Sequence, residues 1–199
     1  MIEIIKKNNT EPYLKFYKLL DKAIKHNQKP HDAISISSYD HPNKQVNSRF
    51  VNLKYIDNEN WSFFSNYDGQ KARDFKTHNQ ITALIYWNEI DVQIRMKAKI
   101  KVSSKTFSDE HFKKRSIEKN ALAISSKQSK KISSYDDVKK NYQKILNSGT
   151  NMHVRPSYWG GFTFTPFYFE FWSGDLSRIN KREVFEKKDI LWEKYFLQP

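Results

Sequence analysis

Residues 91–102, DVQIRMKAKIKV, decide the fold. Val92, Ile94, Met96, Ala98, Ile100 and Val102 alternate with Gln93, Arg95, Lys97, Lys99 and Lys101. Successive side chains on a strand point to opposite faces, so the segment predicts a long strand with one apolar and one wet face. Strict alternation of this kind belongs to antiparallel sheets whose second face meets solvent. Upstream, ITALIYW (81–87), WSFFSN (61–66), SRFVNLKYI (48–56) and DAISISS (32–38) read as further strands. The turn-forming DHPNKQ (40–45) and YDGQ (67–70) separate them, and KARDFKTHN (71–79) reads as a short helix.

Before these strands, Tyr13, Phe16, Tyr17, Leu20 and Ile24 recur at helical spacing behind Thr10 and Pro12, a helix start. Beyond residue 102 a helical segment is expected from about Ser108, then the polar loop SSKQSKK (125–131), then a helix near DDVKKNYQKIL (136–146). WGGFTFTPFYFEFW (159–172) and DILWEKYF (189–196) are strand-like. Strands so spaced, with inserted helices and no βαβ alternation, predict a mainly β (α+β) domain: an antiparallel, closed or partly closed barrel with peripheral helices. With 199 residues and no internal repeat, residues 1–199 are expected to form a single domain, with 1–10 as a flexible N-terminus.

Composition narrows the function. Cysteine is absent, which removes disulfides and thiolate metal sites; the N-terminus turns polar too early for a signal peptide, and no apolar run approaches a membrane span. A cytoplasmic protein is expected. The net charge of +13 suits nucleic acid, an anionic membrane surface or small phosphorylated ligands. Lysines spread through the whole chain and interleaved with acids argue against nucleic acid. Glycine-rich phosphate loops, paired histidines at metal spacing and a G-x-S-x-G elbow are all missing, so no metal ligand is assigned.

What remains is a set of cations and amides at strands and strand ends. Arg49 and Lys54 flank FVNL; Lys71 opens the short helix; Gln93 lies on the wet face of the long strand; Gln128 and Ser129 lie in the polar loop. The stretch FEFWSGDLSRINKR (169–182) ends an aromatic strand with Trp172, Arg178 and Arg182, groups suited to something flat and anionic. On one ideal strand Arg49 and Lys54 would face opposite ways, their separation being odd. Service to one ligand then requires a bulge or a strand end between them.

SRFVNLK, FFSN with GQKA, VQIR, SSKQS, RPSYWGGF and FEFWSGDLSRINKR occur in the order that characterises the pyridoxamine 5'-phosphate oxidase family, which the chain resembles over about residues 12–199. The resemblance implies an antiparallel split β-barrel, a homodimer, and flavin mononucleotide (FMN) at the subunit interface. It assigns Arg49, Phe64, Ser65, Gln70 and Lys71 to the phosphate side, and Gln93, Gln128, Ser129, Trp172 and Arg182 to the ring and ribityl chain. For the substrate, pyridoxine or pyridoxamine 5'-phosphate, it implies Lys54, Arg115 and Arg178, with Arg178 holding the substrate against the flavin as the catalytic residue. Hydride would pass to flavin N5 and dioxygen would reoxidise it, giving pyridoxal 5'-phosphate.

The departures gather on the substrate side. His111 and Lys119 stand where the family has Tyr and Ser, Asn180 where it has His, and Gln70 replaces an arginine on the phosphate side. If one helix persists, His111, Arg115 and Lys119 share a face and present cations to a phosphate. Two alternatives stay open: an FMN oxidase of another small heterocycle, of the phenazine-precursor type, and a non-catalytic flavin-binding or nucleic-acid-binding protein on the same scaffold.

Overall fold

A computed structural model describes residues 2–199. The order of elements is β1 (Glu3–Lys6), α1 (Glu11–Lys25), β2 (Ala33–Asp40), β3 (Gln45–Asn52), β4 (Tyr55–Asp57), β5 (Asn60–Asn66), α2 (Gln70–Thr77), β6 (Gln80–Trp87) and β7 (Val92–Val102). Three helices follow, α3 (Lys105–Lys114), α4 (Ile117–Ser125) and α5 (Tyr135–Leu146), then β8 (Trp159–Ser173), β9 (Lys181–Lys188) and β10 (Leu191–Leu197). No helix among the described residues is long and apolar enough to cross a membrane.

The alternation of residues 91–102 is realised in β7: Val92, Ile94, Met96, Ala98 and Ile100 are buried and the intervening polar residues face out. Val102, expected on the inner face, is exposed at the strand's end, although still paired with Phe162 of β8. One sheet runs in the order β1-β4-β5-β8-β7-β6-β2-β3, with β9 on the second half of β8 and β10 beyond it. The 15-residue β8 is bonded to β7 over Phe162–Ser173, to β5 over Trp159–Phe164 and to β9 over Tyr168–Ser173. Changing partner midway splits the sheet.

Two expectations need correction, and one strand was not anticipated. The sheet is mixed and does not close: β1 pairs with β4 in parallel, and β1, β3 and β10 are its edge strands. Residues 3–6, expected to be flexible, are that strand, because an isolated edge at β4 leaves backbone groups that Glu3–Lys6 can satisfy. The segment KREVFEKK, so charged that nothing marks it as a strand, forms β9; Val184 and Phe185 are buried, while Glu183 pairs with Lys15 and Lys187 with Glu59.

Helix α1 lies over the sheet and buries Tyr13, Phe16, Leu20 and Ala23. Ile24, which fits the same periodicity, is exposed in the last turn. Tyr13 meets Phe169 edge-on at 5.2 Å and Phe16 meets Trp61 at 4.4 Å, so residues from three distant segments share one aromatic core. Each such buried ring contributes about 2 kcal/mol by area alone. On the far side of the sheet, Phe112, Ala123 and Trp159 form a smaller core that seats α3 and α4 against β8.

Candidate functional site

The first cluster forms where β5 runs into α2. Gly69 is the N-cap of α2, and a Cβ there would lie 2.6 Å from Gln128 Oε1, so the loop that carries Gln128 can close on it. Lys71, buried in the first turn, donates to Ser65 Oγ at 2.8 Å and to Gln128 Oε1 at 2.9 Å. Both partners are neutral, and among the described residues Lys71 pairs with no carboxylate. Burial, and then the nearby Arg49, pull its pKa down to about 8. A buried ammonium without a counterion is costly, and a bound anion would relieve it.

Arg49 projects from β3 to Ser38 Oγ (2.6 Å) and the Ile36 carbonyl (3.3 Å), and its other nitrogen lies 3.6 Å from Asp74. Burial lowers the guanidinium's pKa and Asp74 opposes that. Asp74 is itself buried, accepts from Ser38 at 2.6 Å, and receives Gln70 Nε2 at 2.9 Å. Gln70 also donates to Asp40, so its side chain faces two carboxylates instead of joining the Lys71 cradle. Its backbone N–H, by contrast, points at Ser129 Oγ, at 3.5 Å. Arg49, Ser65, Lys71, Gln128 and Ser129 are thus brought together, with Gln128 and Ser129, assigned by the resemblance to the ring and ribityl chain, lying against the residues assigned to the phosphate side. Asp74 and Ser38, which hold Arg49, were missed; the one available signal was an acid one helical turn after Lys71.

Beside this cradle is a cavity of about 240 Å³ whose walls include Phe64, Ser65, Gln128, Arg115, Lys119 and Trp159. Arg115 lies 4.3 Å over the Trp159 ring and donates one nitrogen to the Lys119 carbonyl at 3.0 Å. Its Nη1 is buried with no partner. Burial lowers its pKa to about 10. His111 stacks on Phe64 at 3.6 Å between ring centroids, with Nδ1 2.9 Å from the Tyr55 hydroxyl. Its pKa is pushed down to about 4, by burial first and then by Arg115, Lys54 and Lys114, so the ring is neutral at pH 7.

The expected common face for His111, Arg115 and Lys119 is not found. α3 ends at Arg115, whose ψ of 154° is extended, and α4 restarts behind Ser116, whose hydroxyl accepts the Lys119 N–H. Arg115 and Lys119 still reach one cavity, and across the break Asn120 Nδ2 ties α4 to the Phe112 carbonyl at 2.9 Å. The parity problem of Arg49 and Lys54 resolves in the same way. The strand stops after Asn52; Leu53 bonds to Asp32 and Lys54 to Ser62 before β4 begins, which frees Lys54 to turn and pair with Asp32 at 3.2 Å.

A second cluster lies at the other end of β8. Gln93 on β7, Trp172 on β8 and Arg182 on β9 are direct neighbours in register. Arg178 and Asn180 lie in the loop from β8 to β9. Arg178 is exposed with φ of 64°, and the Asn180 side chain accepts the Asp175 N–H at 3.1 Å, so it fastens the loop. Eleven residues separate Trp172 from Gly161, which is opposite Phe64 in β5. That is about 36 Å of extended strand. The two clusters therefore stand apart within one chain, and Arg178, Asn180, Gln93, Trp172 and Arg182 do not join the Lys71 cradle.

Glu170, absent from the sequence reading, is the other missed residue. It lies two positions from Trp172 on the same face and binds Arg182; the signal was an acid inside an aromatic strand. Among the described residues no group of three or more acids and histidines could hold a metal ion.

The sequence matches two family profiles. One, described as pyridoxamine 5'-phosphate oxidase, covers residues 20–148, and one described as the pyridoxine 5'-phosphate oxidase C-terminal dimerisation region covers 159–199. A pyridoxine/pyridoxamine 5'-phosphate oxidase of Leptospira interrogans is 30% identical over 192 residues, 96% of this chain and 89% of the relative. One from Cytophaga hutchinsonii is 36% identical over 156 residues, 76% and 72% of the two chains. In fold, the chain is similar to PhzG from Burkholderia lata 383, solved in complex with tetrahydrophenazine-1-carboxylic acid. That likeness has a TM-score of 0.89 at 22% identity and covers 95% of this chain and 93% of that one. A pyridoxamine 5'-phosphate oxidase-related, FMN-binding protein from Nostoc punctiforme gives a TM-score of 0.76 at 11% identity over 96% and 99%.

Proposed function

The chain belongs to the pyridoxamine 5'-phosphate oxidase family, and from that premise we propose that it is an FMN-dependent oxidase of pyridoxine or pyridoxamine 5'-phosphate whose two active sites are each completed by a second copy of the chain. The observation that carries this reading is the buried, counterion-free Lys71 beside a cavity into which Arg115 brings an unpartnered nitrogen. Two separate cation sets, Arg49 with Lys71 and Arg115 with Lys119, suit a cofactor phosphate and a substrate phosphate side by side. When bound, FMN would supply the hydride acceptor and its reoxidation by dioxygen.

The protein's own residues bind and orient. Lys71, Ser65 and Arg49 hold the cofactor phosphate; Phe64, Gln128 and Ser129 border it; Lys54, Arg115 and Lys119 hold the substrate's phosphate. Gln93, Trp172 and Arg182 lie too far along β8 to reach the same flavin within one chain, so the partner's copies of these residues complete the site. The outer face supports this pairing. Phe50 is 76% exposed and Tyr86 55% exposed, in the rows of paired residues that contain Glu170 and Trp172. An exposed apolar patch around polar site residues is what a subunit contact would cover. Arg178, on an exposed loop beside that patch, would cross the contact to close over the substrate.

One observation favours a second reading, an FMN oxidase of another planar anion. His111 is neutral and stacked and Asn180 is engaged in its own loop, so neither is free to serve a pyridine phosphate as a Tyr and a His would. The deciding experiment is anaerobic: load the protein with FMN, add pyridoxamine 5'-phosphate, and follow the oxidised flavin band. Rapid bleaching supports the first reading. Bound flavin that stays oxidised overturns it and favours the second, and failure to bind FMN overturns both.

A further inference from the structure

Glu170 plays no part in the reading above, yet its surroundings are built with care. It is 3% exposed, on β8, with Phe169 and Phe171 on either side turned into the core. Its Oε2 accepts from Arg95 Nε at 3.1 Å, from Arg95 Nη2, and from the Tyr168 hydroxyl at 3.2 Å. Its Oε1 accepts from Arg182 Nε at 2.9 Å and is ion-paired with Arg182 Nη2 at 2.8 Å. Arg182 Nη1 donates to the Gln198 carbonyl at 3.0 Å. Every nitrogen of the Arg182 guanidinium is therefore engaged, and its plane is fixed beside Trp172, its neighbour in register. Burial alone would raise the Glu170 pKa, but hydrogen bonds from Arg95 and then Arg182 override it and hold the carboxyl below its ordinary value.

We propose that Glu170 is a positioning residue of the cofactor site, a buried carboxylate shared by two arginines that fixes the orientation in which Arg182 meets the flavin. The inference rests on the reading that the chain binds FMN. A lone arginine at this position would rotate about its long side chain and lose that freedom on binding; the shared carboxylate removes it beforehand. Arg95 supplies the second cation, so the buried acid keeps its charge and its place when the flavin comes and goes.

The test compares FMN affinity in the wild type, E170Q, R182A and the double variant, by flavin fluorescence quenching on apoprotein shown folded by circular dichroism. E170Q should weaken FMN binding about tenfold, as R182A does, and the double variant should be little weaker than either alone, because both remove the same oriented guanidinium. The bound flavin's visible band should shift in E170Q. A purely structural glutamate would lower thermal stability while leaving the affinity and the band unchanged, and that result overturns the inference. Effects of E170Q and R182A that multiply also overturn it. Should E170Q fail to fold, E170D keeps the charge one methylene short of both arginines, and the same comparison applies. A wild type that binds no FMN overturns the proposed function and this inference together; a wild type that binds FMN no better than E170Q overturns this inference alone.

Discussion

Lys71 is an ammonium group held among neutral acceptors, and this sets its pH behaviour. Its folded pKa of about 8 lies below the ordinary lysine value of 10.5. Between those values the unfolded chain holds the proton and the folded apoprotein does not, so this group's contribution to stability improves as pH rises through that window. A bound phosphate reverses the preference and draws the proton back. FMN affinity should therefore fall above pH 8, by up to about tenfold per pH unit, and K71M should show weak, pH-independent binding. His111 works in the opposite range. With a folded pKa of about 4 against an ordinary 6.5, it stays neutral while the unfolded chain takes up a proton, so stability is lost as pH falls from 6.5 to 4. H111F keeps the stack on Phe64 without titrating. Between pH 7 and 4.5 the wild type should lose about 2 kcal/mol more than H111F in urea unfolding. The sequence exposed Lys71 and Arg49 because family motifs contain them. It hid Asp74 and Glu170 because each acquires meaning only from a partner brought near by folding: Arg95 is 75 residues from Glu170.

At the scale of elements, the break between α3 and α4 places the cavity wall. Ser116 caps α4 by accepting from Lys119, and the residue before it is Arg115. Losing the cap in S116A should cost about 1 kcal/mol in denaturant unfolding and raise the substrate KM while leaving FMN affinity near wild type. Paired glycines do the corresponding work on β8. A Cβ at Gly160 would fall 2.1 Å from the Tyr67 hydroxyl, which donates to the Gly161 carbonyl, and 3.0 Å from Ser108. G160A should displace Tyr67 and lower stability by about 1–3 kcal/mol, read by thermal melting. Alternation made β7 legible, the aromatic run marked β8, and helical spacing did the same for α1. β9 was illegible because its charges are satisfied across strands and by α1, and β1 because four residues of mixed character carry no period. The common helical face drawn through His111, Arg115 and Lys119 failed because a serine cap signals a new helix as readily as it sits inside an old one.

For the whole molecule, the separation of the two clusters along β8 makes a quantitative prediction about assembly. K71A damages the cradle and R182A the distant row, so each homodimer should hold FMN poorly. In a mixed dimer, one site pairs the intact cradle of one chain with the intact row of the other, and its counterpart carries both defects. Co-expressing the two variants should restore tight binding at about one site in four, half the sites in half the dimers. No recovery would mean that each chain builds its site alone. The sheet's general character could be read from the sequence. Its parallel pair and its open ends could not, since both depend on which edges remain after the long strands have paired.

The three partners of β8 also set an order of events. Trp61 on β5 and Met96 on β7 both wait for residues 159–173 before their side of the sheet is covered, and Phe185 on β9 follows later still. Until that segment leaves the ribosome, β5 and β7, paired on their other sides with β4 and β6, each keep one open edge more than fifty residues of chain from their shared neighbour. Contacts of such long range slow folding and leave sticky intermediates. The same strand that keeps the two clusters apart therefore makes the nascent chain dependent on its last quarter, and on whatever shields those edges meanwhile.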